Sequence, residues 1–197
     1  MKNTALLVGF LVGMAPVAAS YAAPPPATRL GVSVSGANYT VNDPDGDAND
    51  TSTGYLSGIV TAPISRNHLA WRWWGEVSYR QFTLDPGVNT IGQKVTSFAV
   101  SGVAQHGFNV HEHYRPWIGL GLQAGLNDYK NRHTVDSGGF LDQRYGDRNQ
   151  TSFNLLLNAG VSSRPLGGGY FVGGNLTYHS PLDDGIEGIQ LQMFVLF

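Results

Sequence analysis

Several groups of side chains in this 197-residue chain have types and spacings that could do chemistry. Asp43, Asp45, Asp47 and Asp50 repeat at the spacing with which calcium loops present oxygen ligands. Gly54 stands where such a loop ends in a bidentate Glu, so a weak surface calcium site competes with an ordinary solvated loop, and the loop is the simpler reading. His111-Glu112-His113 offers two imidazoles to zinc without a third ligand, and a polar turn is expected there. Lys130, Arg132, Arg144 and Arg148 bring positive charge into a segment rich in Asp, Gly and Tyr, which suits contact with lipopolysaccharide phosphates or a host molecule. Arg72, Glu76 and Arg80 share one parity, and His179 lies beside Ser180 as a base beside a nucleophile.

What these groups can do depends on the elements that hold them, and the carboxyl-terminal stretch is the clearest. Ile189, Leu191, Met193, Val195 and Phe197 alternate with Gly188, Gln190 and Gln192. A period of two is a strand with unlike faces, and Ile189 to Phe197 comes close to the roughly 10 residues that a tilted strand needs to cross a bilayer.

The same pattern recurs upstream. Leu30, Val32 and Val34 oppose Ser33 and Ser35; Leu56, Val60, Ala62 and Ile64 oppose Ser57 and Thr61. Leu69, Trp71, Trp73, Val77 and Tyr79 oppose Arg72, Glu76, Ser78 and Arg80. Charges of that kind are too costly to meet lipid, so the aromatic face is expected outside and the charged face in a lumen. Phe98, Val100, Ala104, Phe108 and Val110 oppose Ser97, Ser101, Gln105 and Asn109; Ile118, Leu120, Leu122, Ala124 and Leu126 oppose Gly119, Gly121, Gln123, Gly125 and Asn127. Phe153, Leu155, Leu157, Ala159 and Val161 oppose Ser152, Asn154 and Asn158, and Tyr170, Val172, Leu176 and Tyr178 oppose Gly173, Asn175, Thr177 and His179.

The count predicts eight strands in an all-β, up-and-down antiparallel transmembrane barrel. Asp43–Asp50, Asp85–Gly87, Asp128–Gln150 and Ser180–Asp184 read as loops on one side; Pro63–Asn67, Val110–Arg115 and Arg164–Gly168 read as short turns on the other. Trp71, Trp73, Trp117, Tyr170 and Phe197 at one level, and Tyr79, Phe82, Tyr129 and Tyr178 at the other, match interface girdles. Asn38 breaks the first strand, His106 falls on the lipid face, and Trp74 and Phe194 fall on the lumen face, either to fill a narrow interior or through bulges that invert parity.

Composition is consistent with this. Met1-Lys2, the apolar run Ala5–Val12 and the small residues ending at Ala22 have the layout of a secretory signal peptide, giving residues 1–22 as leader and 23–197 as one barrel domain. There is no cysteine, 26 glycines suit many short strands, and a net charge of −2 without a dense Lys/Arg cluster argues against nucleic acid.

Together, the alternating strands and the terminal Phe resemble the small eight-stranded outer-membrane barrels of the OmpA transmembrane-domain and OmpX type, over essentially the whole mature chain. The resemblance implies a bacterial outer-membrane location with both termini periplasmic. It also implies lipid and lipopolysaccharide as surroundings, and recognition of Ile189, Leu191, Met193, Val195 and Phe197 by the insertion machinery. A non-enzymatic role in envelope integrity or surface interaction follows, with no cofactor and an unassigned extracellular ligand. No peptidoglycan-binding domain is expected after Phe197. Arg72, Glu76 and Arg80 are expected to form a buried charge network that holds the lumen shut, the alternative being a narrow ion path. His179 and Ser180 are similar to the catalytic pair of lipid A deacylases, also eight-stranded barrels, but in that family one residue separates the pair. Here they are adjacent and face opposite ways, which denies them a shared hydrogen bond.

Overall fold

The computed structural model describes residues 28–64, 70–110, 113–166, 169–183 and 186–197. The leader at 1–22, Leu69, and His111 and Glu112 lie outside these. Nine strands form one sheet: β1 (Arg29–Val41), β2 (Asn49–Pro63), β3 (Trp71–Leu84), β4 (Gly92–Gly107), β5 (Tyr114–Val135), β6 (Leu141–Arg144), β7 (Arg148–Ser163), β8 (Phe171–Pro181) and β9 (Ile186–Leu196). Eight of them close a ring of antiparallel neighbours, β1-β2-β3-β4-β5-β7-β8-β9, sealed where β9 pairs with β1 from Val41↔Ile186 to Gly31↔Leu196. The short β6 pairs only with the far end of β5 and lies outside the ring.

The expected faces hold along the strands. Leu30, Val34, Leu56, Trp73, Val77, Phe98, Leu120, Leu126, Phe153, Leu176 and Met193 are all exposed, whereas Ser33, Ser57, Ser78, Ser101, Gln123, Asn158, Thr177 and Gln192 are buried. A water-soluble fold would place these two sets the other way round. On β5 the apolar outer face runs from Ile118 to Leu126, a height of roughly 20 Å for a strand tilted by about 40°. Trp71, its ring tilted against His106 with centroids 4.7 Å apart, and Trp73 mark its lower edge, near both chain ends; Tyr79 and Tyr178 mark its upper edge. His106 thus sits on the outer face, where its parity put it, at girdle height.

The strands overrun this band at the upper end, and there the two faces exchange character without any change of parity. On β1, Val32 and Val34 point out, but Ala37, Tyr39 and Val41 point in while Asn38 and Thr40 face water. On β3 the same switch takes Phe82 and Leu84 inside, with Gln81 outside, bonded to Thr96 at 3.2 Å. Val95 on β4, Tyr129 on β5 and Ile186 on β9 complete a buried apolar cluster with Tyr39, Tyr55 and Phe82. The upper barrel is therefore built like a soluble protein, apolar within and polar without, on top of a section built for lipid. From Tyr79 to Leu84 it rises roughly 13 Å beyond the band.

This corrects several sequence expectations. Asn38 does not break β1, β2 begins at Asn49, and Phe82 and Tyr129 are interior residues. Trp117 is interior as well, opposite in parity to exposed Ile118. Asn109 lies beyond the end of β4 and is exposed. The segment 128–150, expected as loop, is mostly strand: β5 runs to Val135, turns, and returns through β6. Asn131, with φ of 56°, inserts one extra residue opposite Gly92–Lys94, a bulge that turns Arg132 inward. The asymmetry between the two ends lies in this strand overrun rather than in loop length.

A second apolar cluster closes the lumen near the termini: Ile59, Trp74, Val103, Trp117, Leu156, Phe194 and Leu196. Trp74 and Phe194 fill the interior rather than marking bulges, with ring centroids 4.9 Å apart. Lumen-facing glycines make room for them. A Cβ on Gly160 would stand 2.5 Å from Trp117 Cζ2 and 2.7 Å from Asn175 Cβ, and one on Gly173 would stand 2.5 Å from Phe194 Cζ. Outward-facing Gly102 has nothing within 4 Å. Gly160→Ala is expected to cost about 1–3 kcal/mol in urea unfolding from vesicles, and Gly102→Ala to be close to neutral; equal costs would contradict the plug.

Candidate functional site

The lumen holds three hydrogen-bonded chains of polar side chains, the lowest threaded through the lower apolar cluster and the other two above it. In the lowest, Arg72 Nε donates to Gln105 Oε1 at 2.7 Å, Gln105 Nε2 to Asn158 Oδ1 at 2.8 Å, and Asn158 Nδ2 to Thr177 Oγ1 at 2.8 Å. The Arg72 guanidinium also lies 4.3 Å from the Trp117 ring centroid. In the middle, Gln192 Nε2 donates to Glu76 Oε2 at 2.9 Å and to Ser33 Oγ at 2.7 Å, while its Oε1 accepts from Asn175. In the third, His179 Nε2 donates to Gln190 Oε1 at 2.9 Å, and Gln190 Nε2 to Ser35 Oγ at 3.1 Å. Arg80 lies higher, 4.5 Å from the Tyr39 ring centroid.

Arg72, Glu76 and Arg80 thus all face the lumen, each with its own neighbours, and among the described residues no ion pair joins them. Amide side chains join strands across the ring instead, a sound solution because buried polar groups are stabilising only when partnered. Trp74, Glu76, Ser101, Gln123, His179 and Gln190 border a small cavity at mid-height, with room for on the order of one water.

His179 is buried, edge-on to Tyr39 at 5.7 Å. Its Nε2 is engaged by Gln190, and Ser180 follows it on the opposite face of β8. The two side chains are not brought together.

Above the upper cluster the loops are tied to one another, and Arg132 is the knot. Its Nη2 lies 2.7 Å from Asp43 Oδ1 and 2.6 Å from Asp45 Oδ2, Nη1 donates to Gly146 O at 3.0 Å, and Nε to Gln93 Oε1 at 3.2 Å. Gln93 Nε2 in turn donates to Asp43 Oδ2 at 3.1 Å. Burial lowers the basicity of this guanidinium, but the bonds to Asp45 and the charge of Asp43 outweigh it, and the net shift is upward. Nearby, Asp47 N donates to Asn89 O at 2.8 Å, Asn49 Nδ2 to Asp85 O at 2.8 Å, and Val135 N to Gly87 O at 3.2 Å.

The four aspartates are therefore not gathered around a common point. Asp43 and Asp45 hold Arg132, Asp50 accepts from Thr40 Oγ1 at 2.7 Å, and among the described residues no group of three or more His, Asp or Glu side chains could hold a metal ion. The four basic residues also separate. Arg132 is buried, Lys130 is exposed and paired with Asp128 at 2.8 Å, which raises its pKa, and Arg144 is exposed on β6. Arg148 opens β7 opposite Tyr129. An arginine and two aspartates 87 and 89 residues away carry no local signal for this latch; the signal that the segment is strand is the apolar Tyr129 at the same inward parity as Gln123 and Asn127.

Ile189, Leu191, Met193, Val195 and Phe197 lie along the outer face of β9 and its end. Phe140, Leu141 and Val88 are exposed apolar residues at the turns of the upper end.

No protein-family model matches the sequence, and no curated protein matches it. Among solved structures, the attachment invasion locus protein Ail of Yersinia pestis aligns at 15% identity over 85% of this chain and 96% of its own, with a TM-score of 0.49. The same protein in complex with the heparin analogue sucrose octasulfate scores alike, at 16% identity and 0.49. Neisserial surface protein A aligns at 16% identity over 85% and 95% of the two chains, with a TM-score of 0.46. The assignment rests on this molecule's own geometry: eight strands closed in a ring, hydrocarbon-compatible side chains outside and a hydrogen-bonded polar interior give this chain the fold of the OmpA/OmpX-like outer-membrane β-barrels.

Proposed function

We propose that this protein is a non-enzymatic outer-membrane barrel that presents a rigid surface outside the cell, with the latched upper end as the working part. The observation that carries this reading is the overrun itself. A barrel meant only to sit in lipid gains nothing from strands that continue past the apolar band around a second, soluble-type core. A barrel meant to hold a surface clear of the membrane needs that stem, and binding is commonly found where loops are fixed by a rigid scaffold. The exposed side chains of Phe140, Leu141, Lys130 and Arg144 supply apolar and basic contact there. Two further features support the reading: the lumen is filled at two levels by apolar side chains, which disfavours a solute path, and His179 is buried away from Ser180, which disfavours a lipid A-modifying enzyme. Residues 1–22 serve as the leader, both termini stand in the periplasm, and Ile189, Leu191, Met193, Val195 and Phe197 are the face read by the insertion machinery amid lipid and lipopolysaccharide.

The absence of cysteine makes sidedness directly testable. In intact cells, Phe140→Cys is expected to react with a bulky membrane-impermeant maleimide, and Leu166→Cys only after the outer membrane is opened. The reverse pattern would overturn the orientation. Lipid A mass spectra should be unchanged by expression of the protein; an acyl change lost in His179→Ala would instead establish the enzyme.

A further inference from the structure

We propose that the lumen contains a binding site for one small monovalent anion, such as chloride, held by Arg80 beneath the upper apolar cluster. Arg80 is 2% exposed, and no carboxylate lies within ion-pair distance among the described residues. Its guanidinium carbon lies over the Tyr39 ring, a contact that uses the ring quadrupole and supplies no acceptor to the N–H groups. Two of those nitrogens, Nε and Nη1, have no acceptor. They are not alone. Ser97 stands opposite Arg80 on β4 and is fully buried, and its hydroxyl has no partner. The buried Tyr129 hydroxyl, opposite Val95 on the neighbouring rung, has none either.

Unmet donors therefore lie on neighbouring rungs around one unmet charge, an uncommon combination because buried polar groups are normally partnered. Water would satisfy the donors and leave the charge. An anion does both. Asn127 Oδ1, across from Ser97 on β5 and also unpartnered, is the place for a water beside the ion. Of the other ionisable groups facing this level, Glu76 accepts from Gln192, and His179 donates from Nε2 to Gln190, its Nδ1 remaining an unpartnered acceptor that supplies no charge to Arg80. Size follows from the enclosure. Tyr39, Phe82, Val95 and Ile186 close the site above, and the tryptophan plug closes the lumen below, so an ion must shed its hydration shell to enter, which favours a small, singly charged one.

The test uses the refolded full barrel. Crystals grown with bromide in place of chloride are expected to show an anomalous peak within hydrogen-bond distance of Arg80 Nε and Nη1. In detergent at constant ionic strength, exchanging gluconate for chloride should raise the thermal midpoint by roughly 3 °C or more for each tenfold rise in chloride above half-saturation. Arg80→Met should abolish that increment. Water alone at Arg80 in the bromide crystals, a Glu76 carboxylate swung onto it, or an equal halide response in Arg80→Met would overturn the proposal. Should Arg80→Met fail to fold, the bromide map of the unaltered protein decides.

Discussion

Leu120→Arg is expected to destabilise the barrel by about 2–4 kcal/mol, read from urea unfolding out of phospholipid vesicles. Leu120 lies on β5 within the apolar band, opposite Ala104 on β4 and Leu157 on β7, and is 55% exposed. Hydrocarbon meets that exposed surface, so a guanidinium there must either stay desolvated or thin the bilayer around it. Gln123→Arg, three residues on, puts the same charge on the opposite face. There it enters the cavity that Glu76 also borders, where a carboxylate can meet it. Its cost should be well under half that of Leu120→Arg. Near-equal costs would mean that outside and inside differ little in polarity, and the membrane assignment would fail with them. A soluble barrel would give the reverse order.

Why the sequence could be read so far, and no farther, follows from the same polarity. Within the band, the outer face must be apolar and the lumen polar, so alternation identifies both the strands and their faces: Trp73 against Arg72, Leu122 against Gln123, Met193 against Gln192. Above the band that rule is reversed, because water replaces lipid outside. Tyr39 and Val41 on β1, Phe82 and Leu84 on β3, and Tyr129 on β5 are apolar at positions that the lower rule reserves for polar side chains. Along one face the pattern therefore stops, which is why Asn38 reads as a break and Asp128–Gln150 as a loop. The strand itself never changes course until Asn131, whose bulge leaves no trace in hydrophobicity. Trp117 shows a different limit. Aromatics near strand ends are ambiguous between girdle and plug, and only parity against Ile118 separates the two. The candidate site was less legible still. Arg132 reads as one of four basic loop residues, whereas its contacts with Asp43 and Asp45 exist only because the ring brings β1, β4 and β5 together at one end.

That latch gives the second large effect. Arg132→Met is expected to loosen the upper loops by about 3 kcal/mol while leaving the membrane section intact. The Arg132 and Asp43 side chains are 4% and 5% exposed, so removing the cation leaves a buried carboxylate whose charge only two neutral donors meet, the Gln93 amide and the Asp45 backbone N–H. Asp45 is half-exposed and returns to water at little cost, which keeps the expected loss at the lower end of that for a broken buried pair. Opening is local because the remaining ties, Asn49 to Asp85, Asp47 to Asn89 and Val135 to Gly87, run among the upper loops and strand ends and not to the membrane section. Hydrogen exchange separates local from global loss. Amides of residues 42–48 and 132–146 should exchange roughly a hundredfold faster in the variant, whereas those of Val32–Ser35 and Leu120–Ala124 should keep their rates. Adding Asp43→Asn removes the stranded charge and should restore part of the protection, since an amide oxygen can still accept from Gln93. Were all amides to quicken together, the upper end would be continuous in stability with the rest of the barrel; were none to change, Arg132 would not be what holds the platform in shape.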